Sequence, residues 1–392
     1  MSVMPVRVLC AAVAAVCVGV LPALARQGGI PQGFAQEAKR IVDASVADPE
    51  LPGMSVAVVF QGGETVRVAG GLARAAPHEQ PMPTEAKMLS GSIGKLYCAV
   101  VVLQLIDEGV LSLDGLVSER LKDRAWFAGF PNAPALTVRS LLNHTSGVPE
   151  HVWDPRFHAA LAADPQKSWT FDELLAISDG AGALFDVGEA WSYADTNYLV
   201  LGALVEEVTG QAYEDVLRAR VLEPLGLDDT LTNEGPDLPG LVSGYTRLTG
   251  MFPGPEETAV DGVYAMNPSF EKTGGGVTST ATDLARFAHA VFTGDIVPEG
   301  LRASMLEGVS APQLGPGAEY GLGVILTPTP QGTAMGHSGI MPGYLSEVRH
   351  YPELAGGVTI AVMVNTDRVA GQRGIARAMG GLSALIAGHA GG

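Results

Sequence analysis

Ser92-Ile93-Gly94-Lys95 stands at the head of the apolar run from Leu96 to Ile106. If that run is a helix, Ser92 and Lys95 share one face three residues apart, and a hydroxyl meets an amine at the helix N-terminus. A lysine ammonium cannot accept a proton. Partial burial in an apolar pocket lowers its pKa, however, and a neutral amine beside Ser92 would then activate the hydroxyl as a nucleophile. The positive end of the helix dipole would lie where an oxyanion develops. Taken alone, the tetrapeptide also reads as a capping serine followed by a surface lysine, so its neighbours must decide.

Four downstream segments carry further candidate chemistry, in this order. The first, Leu136 to Pro149, contains Asn143-His144-Thr145-Ser146-Gly147, and the second is Trp191-Ser192-Tyr193-Ala194-Asp195-Thr196-Asn197-Tyr198. The third runs from Gly274 through the glycines at 275 and 276 to Leu284, and the fourth is Gly336-His337-Ser338-Gly339-Ile340 with its continuation to Tyr344. With these motifs in order, the chain resembles the serine β-lactamase-like superfamily. The branch is that of class C β-lactamases, D-alanyl-D-alanine carboxypeptidases and β-lactamase-fold esterases. The resemblance covers nearly everything after about residue 35, including Gln104 to Asp114 behind the serine.

That resemblance implies an acyl-enzyme hydrolase, with Ser92 as the acylated nucleophile and Lys95 as its proton partner. Tyr193 would act as general base for Ser92 and later as acid to the leaving group, with the Lys95 ammonium favouring its phenolate. His337-Ser338-Gly339 would match the family's K-T-G element, and the backbone N–H groups of Ser92 and Ile340 would form the oxyanion hole. Two residues depart from the pattern. Asp195 replaces an asparagine, which removes an amide donor and would raise the Lys95 pKa. His337 replaces a lysine, so the cation that would greet a substrate carboxylate is only partly present near neutral pH. Both changes favour a carboxypeptidase or esterase over an efficient β-lactamase, and together they motivate the alternative of a catalytically weak cell-wall-binding protein.

Other matches compete less well. Lys272-Thr273-Gly274 is a literal K-T-G, but it is followed by glycines and a helical pattern where the family needs a strand. The Gly336 to Ile340 stretch resembles a nucleophile elbow, yet Ile340 stands where the last glycine belongs, which disfavours an α/β-hydrolase acting through Ser338. His144 is expected to be a hydrogen-bonded structural histidine. No H-E-x-x-H or Cys/His cluster is present, so neither a metal nor another cofactor is implied.

These residues need elements to position them. Phe34 to Asp48 has the spacing of an amphipathic helix, and Met54 to Phe60 and Thr65 to Ala69 read as a hairpin around Gln61-Gly62-Gly63. The Ser92 helix runs to about Glu108, where Gly109 caps it. From there to about 295 the signals are mostly helical. Strands return at Tyr320 to Leu326, Thr333 to Ser338, Leu345 to Tyr351 and Gly357 to Val364, and a helix over about Ala370 to Ala387 follows. The expected fold is therefore α+β, with one antiparallel sheet built from both chain ends and flanked by helices. A mainly helical lobe, about 111–295, is inserted between the α/β parts at about 34–110 and 296–392, the whole forming one catalytic domain over 26–392.

Before that domain, Arg7, the uncharged run Val8 to Leu21 and Ala23-Leu24-Ala25 read as a signal peptide over 1–25, which makes the protein periplasmic or secreted. An uncleaved anchor is the competing reading. Cleavage would leave Cys98 as the one thiol and no stable membrane span. With 42 acidic against 24 basic residues the formal charge is -18, which repels phosphate backbones and argues against nucleic acid. The expected partner is a small molecule or short peptide.

Overall fold

The computed structural model describes residues 30–294 and 296–390, so the expected signal peptide lies outside the described residues. The first helix, α1 (Phe34–Ser45), is one turn shorter than its pattern and buries Phe34, Ala38, Val42 and Ser45 along one stripe. The hairpin follows as β1 (Gly53–Val59) and β2 (Thr65–Arg74), with a short β3 (Gln80–Pro81) beyond it. Next, α2 (Gly94–Asp107) is apolar all round and fully buried from Gly94 to Leu103, which places it in the core.

The middle of the chain is largely helical, as its pattern suggested, and its longest element before the sheet resumes is α3 (Asp195–Thr209). It also contains a small sheet that periodicity did not reveal, in which Met88–Leu89 and Leu231–Thr232 flank Val277–Ser279. Two-residue strands carry too little alternation to be read. The helix α4 (Ala281–Thr293) leads back to the sheet through β4 (Val309–Ser310), β5 (Glu319–Tyr320), β6 (Ile325–Thr329), β7 (Gly332–Met341), β8 (Tyr344–Tyr351) and β9 (Val358–Val364). The single strand expected over Tyr320 to Leu326 is two strands, because Gly323 adopts φ +76° between them. The last described helix, α5 (Val369–Ala390), packs on α1.

Among the described residues the nine strands form one antiparallel sheet in the order β3-β2-β1-β9-β8-β7-β6-β5-β4. The N-terminal β1 is therefore zipped directly to β9, Met54 opposite Val364. Helices α1 and α5 cover one face and α4 the other. Both central strands β1 and β9 are buried along their whole length, which explains their nearly unbroken apolar sequences. This is a mixed α+β fold with a large antiparallel sheet flanked by helices. One detail positions the site: β6 pairs with β7 only as far as Gly336, so residues 337–341 have β8 on one side and no strand on the other.

Candidate active site

Ser92 sits in the single 3₁₀ turn Gly91–Ile93 that leads into α2, and Lys95 is the second residue of that helix. The i, i+3 geometry survives the tighter turn, and Lys95 Nζ lies 3.1 Å from Ser92 Oγ. Lys95 is wholly buried, and Nζ also donates to the Gly274 carbonyl at 2.7 Å and forms an ion pair with Asp195. Asp195 opens α3, and its own N–H donates to Glu150 Oε2 at 2.5 Å. Glu150 Oε1 in turn accepts from Val152 N and lies 3.1 Å from His151 Nδ1. The literal K-T-G at Lys272 is helical here, but its Gly274 carbonyl is one of the atoms that hold Lys95 in place.

The charge balance in this cluster differs from a lone buried lysine. Burial pushes the Lys95 ammonium down, but Asp195, Glu271 and Tyr320 together more than offset it, and the amine stands above its ordinary value. Asp195 is also raised, because burial and the neighbouring Glu150 outweigh the pull of Lys95. An ion pair normally raises the amine and lowers the acid. Here the second half is reversed, so a carboxylate with increased proton affinity rests against the amine. Glu271, beside the same cluster, is pushed up to about 8 by burial and then by Asp195.

Tyr193 reaches Ser92 from the loop before α3, and the serine hydroxyl hydrogen-bonds its phenol. Its ring lies 4.9 Å from Lys95 Nζ. The expectation that Lys95 favours a phenolate needs correction. Burial and the Asp195 carboxylate hold the phenol well above its ordinary value, and the lysine charge is engaged by Asp195.

His337 closes the other side. Its Nδ1 faces the Ser338 carbonyl at 2.6 Å and its Nε2 faces the Tyr320 hydroxyl at 2.9 Å. With Nδ1 protonated toward the carbonyl, Nε2 accepts from Tyr320, and the ring is neutral. Burial and Lys95 push its pKa down to about 3, so the partial positive charge expected at this position is absent near neutral pH. Tyr320, which the sequence placed only at the start of a strand, is thus the partner of His337. His144 packs its ring 4.4 Å from Tyr193 and 4.7 Å from Tyr320, and its Nδ1 faces Asn197 Nδ2 at 2.9 Å. That is the structural histidine the sequence suggested.

Ser92, Tyr193, His337, Ser338, Gly339 and Ile340 line one cleft of about 350 Å³. Gly339 is required there because a β-carbon would run into the Ser90 carbonyl, which also accepts from Ser346 Oγ at 2.6 Å. The structure therefore gathers every candidate site residue around Ser92. Sequence reasoning missed Glu150 and Glu271, and it marked Gly274 only within a competing K-T-G, not as the carbonyl that holds Lys95. Among the described residues no group of three or more His, Cys, Asp or Glu side chains could hold a metal ion, and no helix is long and apolar enough to cross a membrane.

A lysine beside the serine, a tyrosine over it and a free strand edge opposite are the arrangement of a serine-hydrolase site on a β-lactamase-like fold. The Beta-lactamase family model matches residues 38–380, and the chain belongs to that family. It is 27% identical over 288 residues to penicillin-binding protein 4* of Bacillus subtilis (strain 168), across 70% of this chain and 60% of that protein. With penicillin-binding protein 4 of Amycolatopsis lactamdurans it shares 32% identity over 266 residues, 66% of this chain and 64% of that one. The chain thus spans under two thirds of both relatives. Esterase EstB of Burkholderia gladioli is 32% identical over 48% of this chain and 49% of its own. Among solved structures, a D-stereospecific amidohydrolase from Streptomyces sp. superposes with a TM-score of 0.74 at 27% identity, covering 87% of this chain and 97% of that one.

Proposed function

We propose that the protein is an exported serine hydrolase that acts through an acyl-enzyme on an ester or amide carbonyl. The observation that carries this reading is the 3.1 Å contact of Lys95 Nζ with Ser92 Oγ, in a cleft shared with Tyr193 and the free edge of β7. Ser92 Oγ adds to the carbonyl carbon and its proton passes to Lys95, whose own proton moves onto Asp195. The backbone N–H groups of Ser92 and Ile340 hold the oxyanion. Tyr193, held as a phenol, gives its proton to the leaving group as the carbon–heteroatom bond breaks, and the proton on Lys95 refills it. Asp195 then returns its proton to Lys95. Water attacks the acyl-serine by the same route in reverse.

A neutral His337 supports esters, amides and other substrates without a free carboxylate ahead of β-lactams and D-Ala-D-Ala peptides. The tight Lys95–Asp195 pair favours the second reading, a catalytically weak wall-binding protein, because it holds the amine protonated at rest. Mass spectrometry after exposure to an ester panel, a D-Ala-D-Ala peptide and a β-lactam separates the two. An acyl mass on Ser92, lost in Ser92→Ala, is the expected result. Peptide binding with no covalent adduct from any probe would establish the weak binder instead. Export rests on the Arg7, Val8 to Leu21 and Ala23-Leu24-Ala25 pattern, and N-terminal sequencing of the protein recovered outside the cytoplasm tests it.

A further inference from the structure

The cleft that holds Ser92 does not end at the strand edge. It continues past Ser338 to Glu347, Gln372 and Ile375, between β8 and α5. Glu347 is the cross-strand partner of Ser338, and Leu345 is the partner of Ile340, so Glu347 lies one side-chain repeat along from the proposed oxyanion nitrogen. Two residues along a strand span about 6.6 Å.

The charge of this extension is distinctive. The residues lining the cleft include no lysine or arginine, and Glu347 is their one carboxylate. Arg349 pairs with Glu347 Oε1 from the same face, and Tyr351 shares the same guanidinium. A carboxylate has four acceptor positions, and one guanidinium contact leaves most of them open. Its side chain is 15% exposed, largely shielded from bulk solvent, where a charged hydrogen bond is worth more than at an open surface. Nothing in the reaction described above uses this residue.

We propose that Glu347 forms a subsite for an ammonium group carried by the substrate a few bonds from the reacting carbonyl. The inference rests on the reading of Ser92 as the nucleophile and adds to it the substrate's charge. Ammonium donors would take acceptor positions of Glu347 that Arg349 leaves open, completing a chain from Arg349 through Glu347 to the ligand. A carboxylate at the same place would meet Glu347 with the one neighbouring cation, Arg349, already engaged by it.

Three nitrophenyl esters of matched length test this: those of aminohexanoic acid, heptanoic acid and heptanedioic acid, which end in an ammonium, a methyl and a carboxylate. For the protein as it stands, kcat/KM should be about tenfold or more higher for the ammonium ester than for the methyl one, and lowest for the carboxylate. In Glu347→Gln the ammonium-to-methyl ratio should fall to about one, and the carboxylate ester should gain as Arg349 loses its partner. Equal rates for the ammonium and methyl esters in the unaltered protein overturn the subsite, whether or not the variant folds. So does a ratio unmoved by Glu347→Gln in a variant with an unchanged melting temperature. Failure of the parent reading looks different: all three esters would be hydrolysed equally well by Ser92→Ala.

Discussion

The backbone of Gly91 packs so closely on that of Ile340 that a β-carbon at Gly91 would stand 2.5 Å from the Ile340 nitrogen. Gly91 also has φ +54°, a conformation that disfavours every side chain. This contact fixes the distance between the two N–H groups assigned to the oxyanion, because Gly91 directly precedes Ser92. Gly91→Ala should push Ile340 away and lower kcat about 100-fold to 1,000-fold, with a smaller change in KM. Steady-state kinetics on a neutral ester, with the melting temperature recorded alongside, checks it.

Lys95 is wholly buried and holds together Ser92, Asp195 and the Gly274 carbonyl. Its removal leaves Asp195 buried without its cation. Lys95→Ala should cost about 3 to 5 kcal/mol of stability and abolish acylation, whereas Lys95→Arg should recover part of the stability but not the activity. Urea unfolding and fluorophosphonate labelling read the two effects separately.

Asp195 raises the proton affinity of Lys95 after burial has lowered it. In Asp195→Asn that electrostatic support is lost, so the amine deprotonates at lower pH. The acidic limb of the kcat/KM profile should therefore move toward lower pH, and the variant should keep a larger share of its maximal rate in mildly acid buffer. An unmoved limb would mean that the proton of Ser92 leaves by another route.

Glu271 binds its proton more tightly folded than unfolded, with a pKa pushed from 4.5 up to about 8. Its contribution to stability is full below 4.5 and is lost progressively as pH rises to 8, because over that range the unfolded chain has released the proton that the folded state still holds. Glu271→Gln should flatten this decline and stabilise the protein at pH 8 relative to the unaltered chain. His337, held down to about 3, works in the opposite sense: its stabilising contribution is complete above 6.5 and lost as pH falls through 3. Melting temperatures over the pH range resolve both slopes.

The residues that announced themselves in the sequence did so through spacing. Ser92 and Lys95 are three apart, the Tyr193 and His337 segments follow in order, and the strands of the sheet alternate or run apolar as burial on one or two faces requires. What stayed hidden has no local signature. The Gly274 carbonyl is a backbone atom, Glu150 acts through the Asp195 N–H, and the Tyr320 to His337 hydrogen bond joins residues in separate strands. The neutrality of His337 and the raised affinity of Asp195 come from burial and from charges 45 or more residues away in sequence, which no motif reports.

The sheet also sets when the protein can work. Because β9 lies between β1 and β8, the N-terminal hairpin and the strand carrying Ile340 share no sheet until residues 358–364 arrive. Pairing across some 300 residues is slow to nucleate, since a long loop must close before any of its contacts form. The growing chain therefore holds its serine without the assembled sheet edge that carries Ile340 through most of synthesis. Any chemistry at Ser92 is thereby deferred until nearly the last strand of the sheet is in place.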